Sequence, residues 1–165
     1  MKLFLFFSLF FNNPSRNDLY EMRNLFPLVG KKEHYSERML FLSNYSSTTA
    51  QNIKTAYEGV ARMAYAKHKL NPYSKYKSFI EGRNLLELAI KTDSQNLEIR
   101  FLRYIIQNHA PSFLGYNKSI EDDKSFILKQ LPSIKKEDTD LYSRIYSYFI
   151  TVDKLSPEEK LALAA

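Results

Sequence analysis

The segment from Ile53 to Ala89 predicts one long helical hairpin. Apolar residues recur in it at spacings of three, four and seven, which is the pattern of a helix that buries one face. The pattern breaks at Asn71-Pro72, and a new helix is expected there because proline fits the first helical turn. The two apolar faces are Ile53, Tyr57, Val60, Ala61, Ala64 and His68 before the break, and Phe79, Gly82, Leu86, Ala89 and Ile90 after it.

Small residues lie along both helices of this hairpin. They are Ala56, Gly59, Ala61, Ala64, Gly82 and Ala89. Such short side chains let two helix backbones approach closely, so we predict a tightly packed antiparallel pair. If Gly59 or Gly82 lies at the contact, a larger side chain there would destabilise the pair.

The rest of the chain is also predicted to be helical. Asp93 and Ser94 are expected to open one helix, and Ser156 and Glu159 form a capping box with Pro157 at the first helical position of another. No segment beyond the N-terminal run alternates apolar and polar residues as a strand does. The length of 165 residues fits one domain, and an apolar content of 44% is ample for its core. We therefore predict a single all-α domain over residues 16–165.

Residues 1–15 have the pattern of a secretory signal peptide. Lys2 precedes an apolar run from Leu3 to Phe11, and the polar residues 12–15 follow it. The run is too short to span a bilayer as a helix. We predict an exported, periplasmic protein whose contact with the membrane is confined to this segment. The alternatives are a Phe-rich element docked on the core and a cytoplasmic location.

The second helix of the hairpin resembles the second helix of a tetratricopeptide repeat. That family places a small residue, a large apolar residue four positions later and an alanine three positions after that, as Gly82, Leu86 and Ala89 do here. Ser94 stands where the family has proline. The resemblance implies stacked antiparallel hairpins in a right-handed superhelix, whose concave face binds peptides or helices of other proteins.

Three further strings resemble an uncharacterised family of exported, helical bacterial proteins. They are Leu19–Phe26, Glu98–Arg103 and Ser112–Asn117. This resemblance implies a signal peptide and a tetratricopeptide-like fold, and it carries no known activity.

The sequence contains no pattern typical of a catalytic, cofactor or metal site. His34, His68 and His109 lack the spacing of paired metal ligands, and no cysteine is present. The carboxylates of Glu121–Asp123 and Glu137–Asp140 lie where helices are predicted to begin, so we interpret them as caps. The four glycines form no phosphate-binding loop. We therefore predict a protein that is not an enzyme and has no cofactor, metal or small-molecule ligand.

The first candidate for a partner surface is the tip of the hairpin, Arg62 to Lys77, called here the basic tip. Cations alternate with tyrosines in it, and no acidic residue occurs between Glu58 and Glu81. Cations near a helix start are mildly unfavourable, so an acidic partner would explain those in the opening turns of the second helix. The alternative is an ordinary solvated turn. The predicted contact residues are Arg62, Lys67, Lys69, Tyr73, Lys75, Tyr76 and Lys77.

The second candidate is the apolar loop Ala110–Tyr116. A loop of this composition either closes the end of the helical stack or anchors a partner. Its predicted contact residues are Phe113, Leu114 and Tyr116.

The charge distribution favours an acidic partner for the N-terminal half. Residues 1–80 contain 12 basic and 5 acidic residues, whereas residues 81–165 contain 12 and 13. We predict a binding or scaffolding module for another protein, and contact with nucleic acid is the less expected role. The alternative function is a cytoplasmic nucleic-acid-binding protein that places the Lys/Tyr tip on phosphates.

Overall fold

The computed structural model describes residues 17–153 and 155–164. Within these residues the chain forms eight α-helices and no strand, so the predicted all-α class is confirmed. The predicted signal peptide, residues 1–15, lies outside them. The helices are α1 Asp18–Leu25, α2 Glu33–Tyr45, α3 Gln51–Tyr65, α4 Pro72–Thr92, α5 Leu97–His109, α6 Ile120–Gln130, α7 Thr139–Thr151 and α8 Pro157–Ala164.

Polar side chains at the helix starts determine where several of these helices begin. Asn71 accepts hydrogen bonds from the backbone N–H groups of Tyr73 and Ser74, at 2.8 and 3.2 Å, and Pro72 is the first residue of α4. Before α8 the Ser156 N–H donates to the Glu159 carboxylate at 2.7 Å, and the Glu159 N–H donates to the Ser156 hydroxyl at 3.2 Å. The predicted capping box is therefore confirmed.

Helices α3 and α4 form the predicted tight antiparallel hairpin. A Cβ atom added at Gly59 would lie 2.6 Å from the Gly82 carbonyl oxygen and 2.8 Å from the Leu86 nitrogen. At the end of the pair away from the hairpin turn, the Asn52 side chain donates to Asp93 at 2.7 Å. Gly59 and Gly82 therefore lie at the contact, where the two backbones nearly touch.

Two neighbouring helix pairs are antiparallel as well. In α1 and α2, Arg38 binds Glu21 at 2.7 Å, and Ser36 donates to the Val29 carbonyl just beyond α1 at 2.7 Å. The same reversal relates α5 to α6, because their hydrogen bonds join Arg103 to Asp123 and Gln107 to Ser119. The described residues thus contain three consecutive antiparallel pairs. The right-handed, tetratricopeptide-like superhelix stays a prediction.

Helix α5 lies between two apolar clusters. Ile99 and Leu102 on one side pack with residues of α1 to α4. Phe101 and Tyr104 on the other side pack with residues of α6, α7 and α8. Because α5 is apolar over so wide an arc, it can act as the central helix of the molecule.

The carboxylates interpreted as caps have different roles. Asp138 does cap α7, accepting the Leu141 N–H at 3.0 Å. Asp123 is instead fully buried and forms ion pairs with Arg103 at 2.7 Å and with Arg100 at 2.9 Å. The capping interpretation is therefore wrong for Asp123, since a buried carboxylate requires charged partners that only the tertiary structure supplies.

Candidate binding groove

A groove of about 1090 Å³ runs along α5 between α1 and α7. The end of α3, the first turns of α4 and the loop Ala110–Tyr116 complete its lining. Most of this lining is apolar, which is the usual character of a binding site that excludes water.

The floor of the groove comes from α5. Phe101 and Leu102 are buried, whereas Ile105 and Ile106 one turn later are only half-buried. The two isoleucines pack partly against opposite clusters and leave apolar surface facing the groove. Apolar surface in such a position is available to a ligand.

The two walls come from elements at opposite ends of the sequence. Phe26 and Val29 line the wall that follows α1, and Ser147 and Tyr148 line the wall on α7. The Tyr148 ring packs edge-on against Phe101, with 5.6 Å between ring centres. Burial, with the charge of Asp153, raises the pKa of Tyr148 to about 12, so its hydroxyl stays protonated at neutral pH.

A group of ion pairs around Arg23 closes one end of the groove. The buried Arg23 guanidinium binds Glu98 at 2.8 Å, Asp138 at 2.7 Å and Asp140 at 3.0 Å. The Tyr57 hydroxyl donates to Glu98 at 2.7 Å. These five residues, called here the Arg23 cluster, tie α1 to α3, α5 and α7.

The charges of the Arg23 cluster depend on one another. Burial by itself would lower the pKa of Arg23, but hydrogen bonds to Glu98 and Asp138 outweigh it and raise that pKa. Burial would also raise the pKa of Asp138, yet the bond from Arg23 keeps it below its ordinary value. Arg23 and Asp138 therefore stay charged and paired with each other inside the cluster.

The open end of the groove brings together residues from both surfaces predicted from the sequence. Lys67, Lys75 and Tyr76 of the basic tip line it beside Phe113 and Leu114 of the apolar loop. In the sequence these surfaces are two separate candidates. Folding makes them neighbours at one mouth.

Three lysines at this end have no ion-pair partner among the described residues. They are Lys31, Lys67 and Lys75, and all three line the groove. The Lys67 ammonium reaches across to the turn after α1. It lies so near Gly30 that a Cβ added there would be 3.0 Å from its nitrogen. The mouth therefore carries positive charge above an apolar floor.

Other residues of the basic tip lie outside the groove lining. Arg62 pairs with Glu58 at 2.8 Å, and Lys77 lies 4.0 Å from Glu81, so carboxylates four positions away offset both charges. Lys69 sits over the ring of Tyr65, with 5.3 Å from its nitrogen to the ring centre.

The apolar loop has an inner and an outer side. Tyr116 is buried, donates to Glu87 at 2.6 Å and packs edge-on against Phe79. Gly115 has a φ of 59°, a left-handed conformation that glycine adopts without strain and that ends the turn Ser112–Leu114. The chain reverses there, so that Tyr116 points inward while Phe113 remains exposed.

The wall residues and Lys31 were not predicted from the sequence. One signal could have indicated the groove: α5 has apolar residues over too wide an arc for one contact face, which is typical of a helix between two layers. The position of α7 opposite α1 had no local signal, because it depends on the long-range Arg23 cluster.

No helix within residues 17–153 and 155–164 is long and apolar enough to cross a membrane. In the same part of the chain, no three histidine or carboxylate side chains lie together as metal ligands would.

Comparison of the chain with protein-family models, curated proteins and solved structures finds no match. The resemblances to tetratricopeptide repeats and to the exported helical family therefore stay predictions that rest on the residues named above.

Proposed function

We propose that the protein is a non-catalytic binding module whose groove takes an apolar, acidic segment of a partner protein. One observation carries this proposal: an apolar groove of about 1090 Å³ has unpaired lysines at its open end. The size supports a peptide. A helix 10–12 Å across that rises 5.4 Å per turn occupies about 420–610 Å³ per turn, so the groove has room for about two turns.

The distribution of charge supports one orientation of the bound segment. The closed end is occupied by the Arg23 cluster, in which each charge already has a partner. At the open end Lys31, Lys67 and Lys75 offer unpaired positive charge. Acidic residues of the segment should therefore lie at the open end, with its apolar residues on Ile105 and Ile106.

The proposed tetratricopeptide-like superhelix is consistent with this role. The floor comes from α5, and the walls come from α3, α7 and the segment that follows α1, with the first turns of α4 and the apolar loop at the mouth. Of these, α3 and α5 are the first helices of consecutive antiparallel pairs. In superhelical repeat proteins one helix of each pair lines the concave binding face. The arrangement supports a module that recognises helical or extended segments of other proteins.

Selection of peptides on the full chain tests the proposal. Peptides displayed on phage and enriched by the wild type should carry apolar residues at helical spacing with Asp or Glu at one end. Ser147→Trp places a large ring in the groove from an exposed position on α7, and it should weaken these peptides about tenfold or more.

The matched control is Ser125→Trp, which makes the same change at an exposed position of α6 outside the groove. It should bind the selected peptides as the wild type does. Equal binding by Ser147→Trp, or a failure to enrich any such peptide, would show that the groove is not the binding site.

We also propose that the protein is exported, on the pattern of residues 1–15. N-terminal sequencing of the protein purified from its native cells should find a first residue between about Asn13 and Asn17, where the apolar run has ended. Intact protein that begins at Met1 would contradict export by cleavage.

A further inference from the structure

Four large apolar or aromatic side chains protrude where the groove opens. Leu70 is 97% exposed, Phe113 84% and Tyr73 74%, and Tyr76 is also exposed. Leu70, Tyr73 and Tyr76 belong to the turn between α3 and α4 and the start of α4, and Phe113 stands on the adjacent loop. Large apolar groups grouped in this way usually mark a contact surface.

The local fold does not require these side chains to be apolar. Asn71 caps α4 and Pro72 sets its first turn, so the conformation of the hairpin turn is explained without Leu70. A Leu70 packed as a hydrophobic staple would need an apolar partner in the first turns of α4, but Lys75 occupies that position. In the loop, Leu114 and Tyr116 make the inward contacts, and Phe113 is left outside.

Positive charge surrounds the protruding groups. Lys67, Lys69 and Lys75 lie within five residues of Leu70. Lys77, further along α4, is offset by Glu81 at 4.0 Å. Lys67 and Lys75 have no ion-pair partner in the described part of the chain. The tip surface, meaning Lys67, Lys69 and Lys75 with Leu70, Tyr73, Tyr76 and Phe113, is thus both apolar and cationic.

We propose that the tip surface docks on an anionic lipid bilayer. Such a bilayer fits all of its features at once: acyl chains accept protruding Leu and Phe, tyrosine rings sit at the headgroup level, and lysines reach lipid phosphates. A protein partner would need a concave site shaped to Leu70 and Phe113, whereas a bilayer deforms around them. Docking would hold the groove mouth next to the membrane, and it does not depend on the groove binding a peptide. It uses Lys67 and Lys75, which the proposed peptide would also contact, and it places membrane contact outside residues 1–15, the segment where the sequence predicted it.

The absence of tryptophan from the chain allows a site-specific test. Leu70→Trp and Phe113→Trp each introduce a single reporter, and vesicles of phosphatidylglycerol and phosphatidylcholine with brominated acyl chains are the probe. The fluorescence of both reporters should shift to shorter wavelength and be quenched as the indole enters the acyl region. Pure phosphatidylcholine should produce little change.

The matched reporters are Leu88→Trp and Phe41→Trp, at apolar positions that are exposed but lie away from the tip. Their fluorescence should not respond to the same vesicles. All four reporter variants retain residues 1–16. Attachment through the N-terminal run alone would affect the tip and control reporters equally, so it cannot produce the expected difference between them. Silent reporters at 70 and 113, or an equal response at 88 and 41, would overturn the proposal.

Removal of charge gives an independent measurement. Changing Lys67, Lys69 and Lys75 together to Gln should weaken vesicle binding about a hundredfold, at about fivefold for each lysine near an anionic surface. The matched control changes Lys91, Lys129 and Lys136 to Gln, which gives the same net charge at exposed positions away from the tip and should have little effect. Equal losses in both triple variants would show that the vesicles attract the net charge of the protein and not the tip, which would overturn the proposal. Binding of acidic peptides by the tip without any vesicle binding would also overturn lipid docking.

Discussion

Arg23→Met should lower the free energy of unfolding by about 3–5 kcal/mol, because it removes one partner of a buried ion pair. Glu98 would remain buried with its charge facing the apolar core, and among the described residues only the Tyr57 hydroxyl would still donate to it. Chemical denaturation of the wild type and the variant measures the difference.

Two further variants separate this effect from a simple loss of side-chain contacts. Arg38→Met makes the same change in a partly exposed ion pair with Glu21, and it should cost about 1 kcal/mol or less. Adding Glu98→Gln to Arg23→Met removes the stranded charge while keeping an acceptor for Tyr57, so it should recover much of the lost stability. No recovery in the double variant would contradict the electrostatic explanation.

Gly82→Ala should lower the free energy of unfolding by about 3 kcal/mol, at the upper end of the range for overpacking. The new Cβ would collide with the Gly59 carbonyl oxygen and would lie 2.8 Å from the Met63 nitrogen. Both obstacles belong to the backbone of α3, so the two helices would have to move apart. Thermal or chemical denaturation gives the sign and the size of the change.

Gly30→Ala is the control for this substitution, because the nearest atom there is the flexible end of Lys67 at 3.0 Å. Its effect should stay within about 1 kcal/mol in either direction. An increase in stability for Gly82→Ala, as expected from helix propensity at an exposed glycine, would show that α3 and α4 are not in close contact there.

Helix boundaries illustrate how far local sequence rules extend. The capping box at Ser156 was predicted because both partners lie within four residues of each other, so no distant group is involved. The predicted start of α5 at Asp93 or Ser94 was early by a few residues: Asn96 caps the helix, accepting the Ile99 N–H at 3.1 Å. Asp93 instead accepts from Asn52 of α3. Several residues in that stretch can cap a helix, and a contact between helices selects among them.

The candidate site shows the same division. Composition indicated the basic tip and the apolar loop separately, and each prediction rested on residues close together in the chain. Their meeting at one groove mouth depends on how α4 packs against α5, for which neither segment carries a local signal. The inward turn of Tyr116 beside the exposed Phe113 likewise depends on Glu87 and Phe79, which come from another helix.

The sequence by itself determined the helical class and the tight α3–α4 hairpin, because periodicity and small side chains act between residues a few positions apart or facing each other across one turn. Whether Gly59 and Gly82 lie at the contact stayed open until the structure placed them there. Only the tertiary structure decided that Asp123 pairs with Arg103 and Arg100, that Arg23 joins α1 to α5 and α7, and that a groove opens between them. Those features depend on the directions in which distant helices pack. Charged groups are drawn together there because burial without a partner would cost several kcal/mol or more.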